Sequence, residues 1–235
     1  MELVGLGIAW YVVFLLTTTA HEAAHALAGR WMGDPTASHL GLDTLDPRPH
    51  MARSPFGMVV VPILTFVING GGWMIGWASV PYDGEWALDR PRKAGLMSLA
   101  GPLANLTLAA AAMVLLKAGL MGGVFVVPEP GDLEMSWLVA PAAGREMLRG
   151  VATVLSVMFS LSLILGVFNL IPAPPLDGSG VVAALLPIRA ARDYLRFIRN
   201  PNYAFIGIVA AWSIMDRLFL PVFRVALRAL YGGVA

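Results

Sequence analysis

The stretch LVGLGIAWYVVFLLTTTAHEAAHALAG (residues 3–29) decides the fold class of this chain. Its first 18 residues, between Glu2 and His21, carry no charge, and about 20 apolar helical residues cross the hydrocarbon core of a bilayer. The helix gains the missing length if it continues to Arg30. A cleaved signal peptide would have positive charge before the apolar core, and here the only early charge is acidic. This stretch therefore predicts a retained transmembrane helix near residues 3–29.

The composition of the whole chain points to the same class. Of 235 residues, 57% are hydrophobic and 13% are charged, with a formal net charge of +1, whereas soluble domains carry about 25% charged residues. These values exclude a soluble enzyme, a disordered chain and a basic nucleic-acid binder, so we expect no nucleic-acid partner. The absence of cysteine excludes disulfides and thiolate metal sites. However, 25 Gly and 17 Pro are unusually many for a simple bundle of helices.

Further uncharged runs predict the other membrane segments. They contain 29, 23, 27 and 16 residues, and they occupy residues 54–82, 94–116, 150–176 and 200–215. We expect spans near 94–116 and 150–171, and the shorter last run predicts the weakest span. The predicted fold class is an all-α polytopic membrane protein with four to five transmembrane helices, a re-entrant segment and a short β element. We divide it into a core (1–190) and a C-terminal membrane helix with an amphipathic tail (191–235).

Residues 54–82 are long enough to cross, but Pro62 and the triplet Gly70–Gly72 interrupt the run. Cytoplasmic flanks of membrane helices collect Lys and Arg, so the cations can decide between crossing and re-entry. With the N-terminus outside and a re-entrant segment, ten of the 16 cations lie inside; if all five runs cross, only nine do. This count favours re-entry and places the N-terminus outside.

The motif HEAAH at the inner end of the first span carries the predicted chemistry. Helical positions four apart share a face, so His21 and His25 can hold one ion. Glu22 is rotated by about 100° and can reach a water on that ion, as the general base does in zinc peptidases. Ionisable side chains on a membrane helix are costly unless partnered, which favours function over a chance match.

A tetrahedral zinc site of this kind needs a third protein ligand. Asp177 is the better candidate, because it follows 27 uncharged residues and precedes 11 more, and a lone carboxylate in hydrocarbon needs a compensating cation. Neighbouring prolines predict that it lies on an unwound turn. His39 and His50 lie in a charged loop, where we expect solvated surface histidines.

Together these motifs resemble the site-2 protease family of intramembrane zinc metalloproteases. HEAAH is followed by NLIPAPPLDG, which matches the family's second signature, N-x-x-P-x-x-x-L-D-G, at Asn169, Pro172, Leu176, Asp177 and Gly178. AGPLAN (100–105) and GWASVP (76–81) resemble the family's middle-helix motif and its GWA strand. The resemblance covers about residues 3–190 and corresponds to a compact form, without a recognisable PDZ or nucleotide-sensing domain.

The resemblance implies one Zn²⁺ per chain, bound by His21, His25 and Asp177, with Glu22 as the catalytic residue. Four further residues are candidates for supporting the site or the substrate: Asn169, Asn105, Gly101 and Pro172. For the two asparagines a helix-packing hydrogen bond is an equal alternative, and for Gly101 close helix packing is the expected role. By analogy, the segment Thr36–Leu45 would form a strand that binds an unwound substrate; a connecting loop is the alternative.

The predicted function is therefore hydrolysis of a peptide bond in or near a substrate's transmembrane helix, as in regulated intramembrane proteolysis. The expected partners are a membrane-protein substrate and the lipid bilayer. We expect an integral protein of a bacterial cytoplasmic membrane, with the site near the cytoplasmic side. A membrane metal transporter that uses the same His, Glu and Asp residues is the main alternative, and an inactive scaffold that binds no metal is another.

Overall fold

The computed structural model of the chain describes residues 3–129 and 131–233. The first two residues of the predicted core (1–190) and the last two of the predicted C-terminal part (191–235) lie outside the described residues. Ten α-helices follow one another along the described chain. They are α1 (Leu3–Met32), α2 (Thr36–His39), α3 (Pro47–Arg53), α4 (Val61–Ile68), α5 (Gly84–Asp89), α6 (Pro91–Met121), α7 (Arg149–Asn169), α8 (Asp177–Leu185), α9 (Ile188–Ile198) and α10 (Pro201–Tyr231). A π-helical turn (Phe56–Val60) leads into α4, and a 3-10 turn (Glu146–Leu148) leads into α7.

Four helices, α1, α6, α7 and α10, are long and apolar enough to cross a membrane. The prediction of an all-α polytopic membrane protein is confirmed. Helices α1 and α6 cover their predicted spans and extend beyond them, whereas α7 ends at Asn169, before the proline-rich end of the run 150–176. The last run, which the sequence predicts as the weakest span, belongs to the 31-residue helix α10, which continues through Asp216 and Arg217. Since about 20 helical residues cross the hydrocarbon core of a bilayer, the 31 residues of α10 are long enough to cross it.

Residues 54–82 fold back on themselves. The helical part, Phe56–Ile68, is bent by 114° from α3, and the chain then turns at Gly70, where φ is +61°. It returns beside the helix as irregular chain, and the Trp77 N–H donates to the Gly57 carbonyl at 3.0 Å. The backbone of this segment is thus a hairpin, which is the shape that re-entry requires. Its entry into the bilayer stays a prediction.

The β structure of the described chain is one small hairpin between α6 and α7. Its strands are Phe125–Val126 and Ala140–Pro141, and they pair antiparallel with Phe125 opposite Pro141. The Phe125 side chain is buried with residues of α6 and α7. The hairpin therefore closes the connection between two membrane helices.

The strand predicted in the segment Thr36–Leu45 is wrong. Its first residues form the helical turn α2 instead, because Asp34 accepts a hydrogen bond from the first N–H of the turn at 3.1 Å and Ala37 is buried against α1. The GWASVP segment (76–81) is also not a strand, since it forms the irregular return of the hairpin 54–82. Neither segment is therefore a strand in the described structure.

Small residues bring the helices around α6 into close contact. Gly95 of α6 lies against Ala184 of α8, and Gly166 of α7 lies against Leu106 of α6. On the other side of the bundle, Trp10 of α1 is fully buried and packs with residues of the hairpin 54–82 and of α7. Helix α6 therefore packs closely on α7 and α8, and α1 packs on the hairpin 54–82 and α7.

The chain between α7 and α10 contains the proline-rich loop 170–176 and two short helices. Helix α8 begins directly after the loop. Helix α9 is amphipathic: Ala191 and Leu195 are buried, while its arginines are more exposed. The amphipathic part of the C-terminal region therefore precedes the membrane helix α10 instead of following it.

Candidate metal centre

Helix α1 presents two histidines and a glutamate to the interior of the bundle. The side chains of His21 and His25 are four residues apart, as the helical period requires for a shared face, and their Nε2 atoms lie 3.0 Å apart. Glu22 is 6% exposed and lies on the adjacent face, about 100° around the helix. The same turn of helix thus carries two nitrogen ligands and a buried carboxylate.

The third member of the cluster comes from α8. Asp177 Oδ2 lies 3.0 Å from His21 Nε2, and Asp177 Oδ1 lies 3.3 Å from His25 Nε2. The sequence predicts an unwound turn for this residue, but the structure places it at the first position of α8, directly after the loop 170–176. A helix start is still compatible with the role, because its backbone N–H groups favour a carboxylate.

The donor set fits zinc in chemistry and in size. One ligand atom from each of His21, His25 and Asp177 lies within 4.8 Å of the other two. Tetrahedral zinc with bonds of about 2.0–2.2 Å separates its ligands by about 3.3–3.6 Å, which is close to the observed 3.0 and 3.3 Å. Two imidazoles and one carboxylate leave a fourth position open, as in catalytic zinc sites.

Helix α6 forms the wall behind the two histidines. His25 Nδ1 lies 2.8 Å from the carbonyl oxygen of Met97, and His21 Nδ1 lies 3.1 Å from Asn105 Nδ2. Between them, a Cβ atom added to Gly101 would lie 2.3 Å from His25 Nε2. The contribution of Met97 is missing from the sequence-based prediction. No local pattern indicates it, because the contact is made by a backbone carbonyl and any residue type supplies one.

The other predicted residues are not brought to the cluster. Asn169 donates to the Leu165 carbonyl of its own helix at 3.1 Å, which is neither a contact with the cluster nor a hydrogen bond between helices, and Pro172 is exposed. His39 is exposed as expected. The prediction for His50 is wrong: it is 2% exposed, and its Nε2 lies 3.1 Å from the Thr44 carbonyl.

A cavity of about 350 Å³ opens beside Asp177. It is lined by parts of α5, α6, α8, α9 and the start of α10, including Ser98 and Arg199. The Arg199 guanidinium donates to the Gly84 carbonyl at 2.8 Å and lies 5.5 Å from the ring centre of Tyr82. The half-buried carboxylate of Asp177 thus faces a cavity whose lining includes the polar side chains of Ser98 and Arg199.

Two histidines and a glutamate on one helix, with an aspartate on another, inside a bundle of long apolar helices define a membrane metalloprotease. The chain belongs to Peptidase family M50, the site-2 protease family, which it matches over residues 9–211. It is 34% identical, over 203 residues, to the "Putative zinc metalloprotease YwhC" of Bacillus subtilis (strain 168), covering 83% of this chain and 75% of that protein. No solved structure is significantly similar to the chain. The predicted family is confirmed, and the apolar helices make it an integral membrane protein.

Proposed function

We propose that this protein is an intramembrane zinc endopeptidase that hydrolyses a peptide bond in or near a transmembrane helix of a membrane-protein substrate. The observation that carries the proposal is the convergence of His21, His25 and Asp177 within 4.8 Å, next to the buried Glu22. The described residues contain one such cluster, and we therefore propose one zinc ion per chain. Membership of a protease family agrees with this chemistry.

In the proposed reaction, each residue of the cluster has a separate task. Zinc, when bound, acts as a Lewis acid that acidifies water and polarises a carbonyl. His21, His25 and Asp177 would hold it by two nitrogens and one oxygen. Glu22 takes the proton from the attacking water and passes it to the leaving amine. Because Glu22 is buried on the same helical turn as the histidines, its carboxylate would be within reach of a water at the open position of the site.

A substrate helix must unwind before its peptide bonds become accessible, because its carbonyls are engaged in i to i−4 bonds. Irregular backbone at membrane depth needs protein or water around it. We propose that the irregular return of the hairpin 54–82 and the loop 170–176 provide these surroundings. The cavity beside Asp177 is where water and unwound substrate meet the cluster.

We further propose that the N-terminus is outside a bacterial cytoplasmic membrane and that the cluster lies near the cytoplasmic side. Two cations make contacts near the C-terminal end of α1 and the N-terminal end of α6: Arg30 pairs with Asp43 at 2.9 Å, and Lys93 donates to the Met32 carbonyl at 3.2 Å. His21 is nine residues from Arg30, or about 13 Å along a helix. In this orientation, residues 1–190 form the catalytic core and residues 54–82 re-enter the membrane.

The test is the substitution Glu22→Gln, which keeps the size of the side chain and removes its basicity. We expect the purified variant to contain as much zinc as the wild type and to cleave nothing. Activity is measured by proteomic comparison of membrane-protein fragments in cells that express the wild type or the variant. The exposed Glu85 provides the matched control, since Glu85→Gln should preserve both zinc and cleavage. Unchanged fragments in Glu22→Gln cells would refute the role of Glu22.

The same preparations distinguish the protease from a metal transporter. A transporter would carry zinc into proteoliposomes, and this flux would persist in the Glu22→Gln variant if the carboxylate serves only hydrolysis. We expect no flux in either protein. Purified wild type without bound metal would instead indicate a scaffold, and the proposed function would be wrong.

A further inference from the structure

The side chain of Asn105 is buried next to a zinc-ligating histidine, and its contacts differ from those of an ordinary helix-packing amide. It is 0% exposed, and the hydrogen bond found for its side chain among the described residues is the one at 3.1 Å between Nδ2 and His21 Nδ1. The other amide atom, Oδ1, is buried without a hydrogen-bond partner. The side chain is therefore directed at the imidazole and not at the backbone of its own helix.

A zinc ion on Nε2 of His21 determines what Nδ1 must do. A neutral imidazole carries one proton, so when Nε2 is a ligand the proton is on Nδ1 and that nitrogen becomes a donor. It then needs an acceptor, and metal-bound histidines almost always have one. A rotation of the Asn105 amide by 180° exchanges Nδ2 for Oδ1 at the same place. In both orientations of the amide, His21 is its hydrogen-bond partner. The position of the proton on the zinc-bound imidazole therefore decides whether Nδ2 or Oδ1 of Asn105 faces His21.

The second histidine has the matching arrangement. His25 Nδ1 lies 2.8 Å from the carbonyl oxygen of Met97, which can only accept. Met97 and Asn105 are eight residues apart on α6, slightly more than two helical turns, so one face of α6 meets both rings. Gly101 lies midway between them and leaves room for the rings.

We propose that Asn105 is a positioning residue, whose amide oxygen accepts the Nδ1–H of His21 and holds that ring in the form and direction that bind zinc. This inference rests on the proposed zinc site and adds to it a specific support for one ligand. Outer partners of this kind contribute about 10–100-fold to metal affinity. Asn105 touches neither substrate nor reacting atoms, so its effect appears in zinc binding first.

The experiment compares Asn105→Leu with Asn105→Asp in the full-length protein in detergent. Leucine has a similar size but no acceptor, whereas a carboxylate accepts in every orientation. Zinc affinity is measured by competition with a chelator of known affinity, and the visible spectrum of the Co²⁺-loaded protein reports the geometry of the ligands. We expect about 10–100-fold weaker binding for Asn105→Leu and wild-type affinity and spectrum for Asn105→Asp.

The control is Thr153→Val, which also removes a buried, unpartnered polar atom but on α7, away from the two histidine contacts. It should bind zinc like the wild type. If both Asn105 variants bind zinc normally, or if both bind it weakly, the acceptor role is wrong, because only the loss of the acceptor should matter. If the wild type itself binds no zinc, the proposed function fails, and the two failures are thereby distinguished.

Discussion

The substitution Gly101→Ala tests the site at its tightest point. A Cβ atom at this position would lie 2.3 Å from His25 Nε2 and 2.6 Å from His21 Nε2. Non-bonded carbon and nitrogen atoms need about 3.4 Å or more, so the ring nitrogens and α6 must separate by roughly 1 Å. The rings have little freedom to retreat, because their Nδ1 atoms contact Met97 and Asn105 of the same helix.

The magnitudes show which property should change. A shift of roughly 1 Å is half the length of a zinc–nitrogen bond of about 2.0 Å, and misplacements of this size cost about 100-fold in catalysis. We expect zinc affinity to fall about 100-fold, or about 2.7 kcal/mol. The fold itself should change less, because overpacking costs about 1–3 kcal/mol while alanine stabilises a helix by about 1 kcal/mol relative to glycine.

Chelator competition measures the zinc affinity, and thermal unfolding with excess chelator measures the stability of the metal-free protein. Two other glycines serve as controls. A Cβ at Gly150 meets no atom within 4 Å, and one at Gly166 meets the flexible side chain of Leu106 at 2.8 Å. Both alanine variants should bind zinc normally. Zinc affinity of Gly101→Ala within about threefold of the wild type would refute the argument, and an equal loss in Gly166→Ala would indicate a general packing defect.

Two more predictions concern topology and charge. Because the chain has no cysteine, single cysteines introduced at Ala52, Glu85 and Ala143 can be labelled selectively with an impermeant maleimide. If residues 54–82 re-enter the membrane, the cysteines at 52 and 85 should react only after permeabilisation, and the cysteine at 143 should react from outside. Labelling of positions 52 and 85 from opposite sides of the membrane would disprove re-entry. The hydrogen bond from Arg30 lowers the pKa of Asp43, so this pair stabilises the fold above the carboxyl's unfolded pKa and loses its effect as the pH falls through the lowered value. Arg30→Gln should therefore lower the free energy of unfolding by less than about 1 kcal/mol at pH 7, since Arg30 is largely exposed, and should not change it in strong acid. Thermal unfolding at both pH values measures the difference. An equal loss of stability at both pH values would show that the ion pair is not the cause.

Much of the cluster could be predicted from the sequence because its members are costly to bury. His21 and His25 share a face through the helical period alone, which needs no knowledge of the tertiary structure. Asp177 stands out as a single carboxylate between two long uncharged runs, and the structure brings it to within 3.0 Å of His21. Likewise, the Gly triplet after residue 69 indicates a reversal, and the chain turns there.

The failures have a common physical origin in tertiary contacts that local patterns do not contain. His50 lies among charged residues, yet the fold buries it against the Thr44 carbonyl. The sequence also does not show that the close approach expected at Gly101 is an approach to the two histidines of α1. Which face of α6 meets α1 depends on the arrangement of the whole bundle, so the support from Met97 cannot be read from its own neighbours.

The proline-rich loop shows how helix breakers contribute to such a site. A Cβ at Gly178 would lie 2.3 Å from the Leu170 carbonyl oxygen, and one at Gly207 of α10 would lie 1.7 Å from that of Pro174. Backbone therefore packs directly on backbone on both sides of the loop that precedes Asp177. Ordering a residue costs about 1–2 kcal/mol in backbone entropy, and a loop already held by these contacts does not pay it when metal binds. The glycines and prolines that are unusual for a helical bundle thus keep the Asp177 carboxylate in place beside the two histidines.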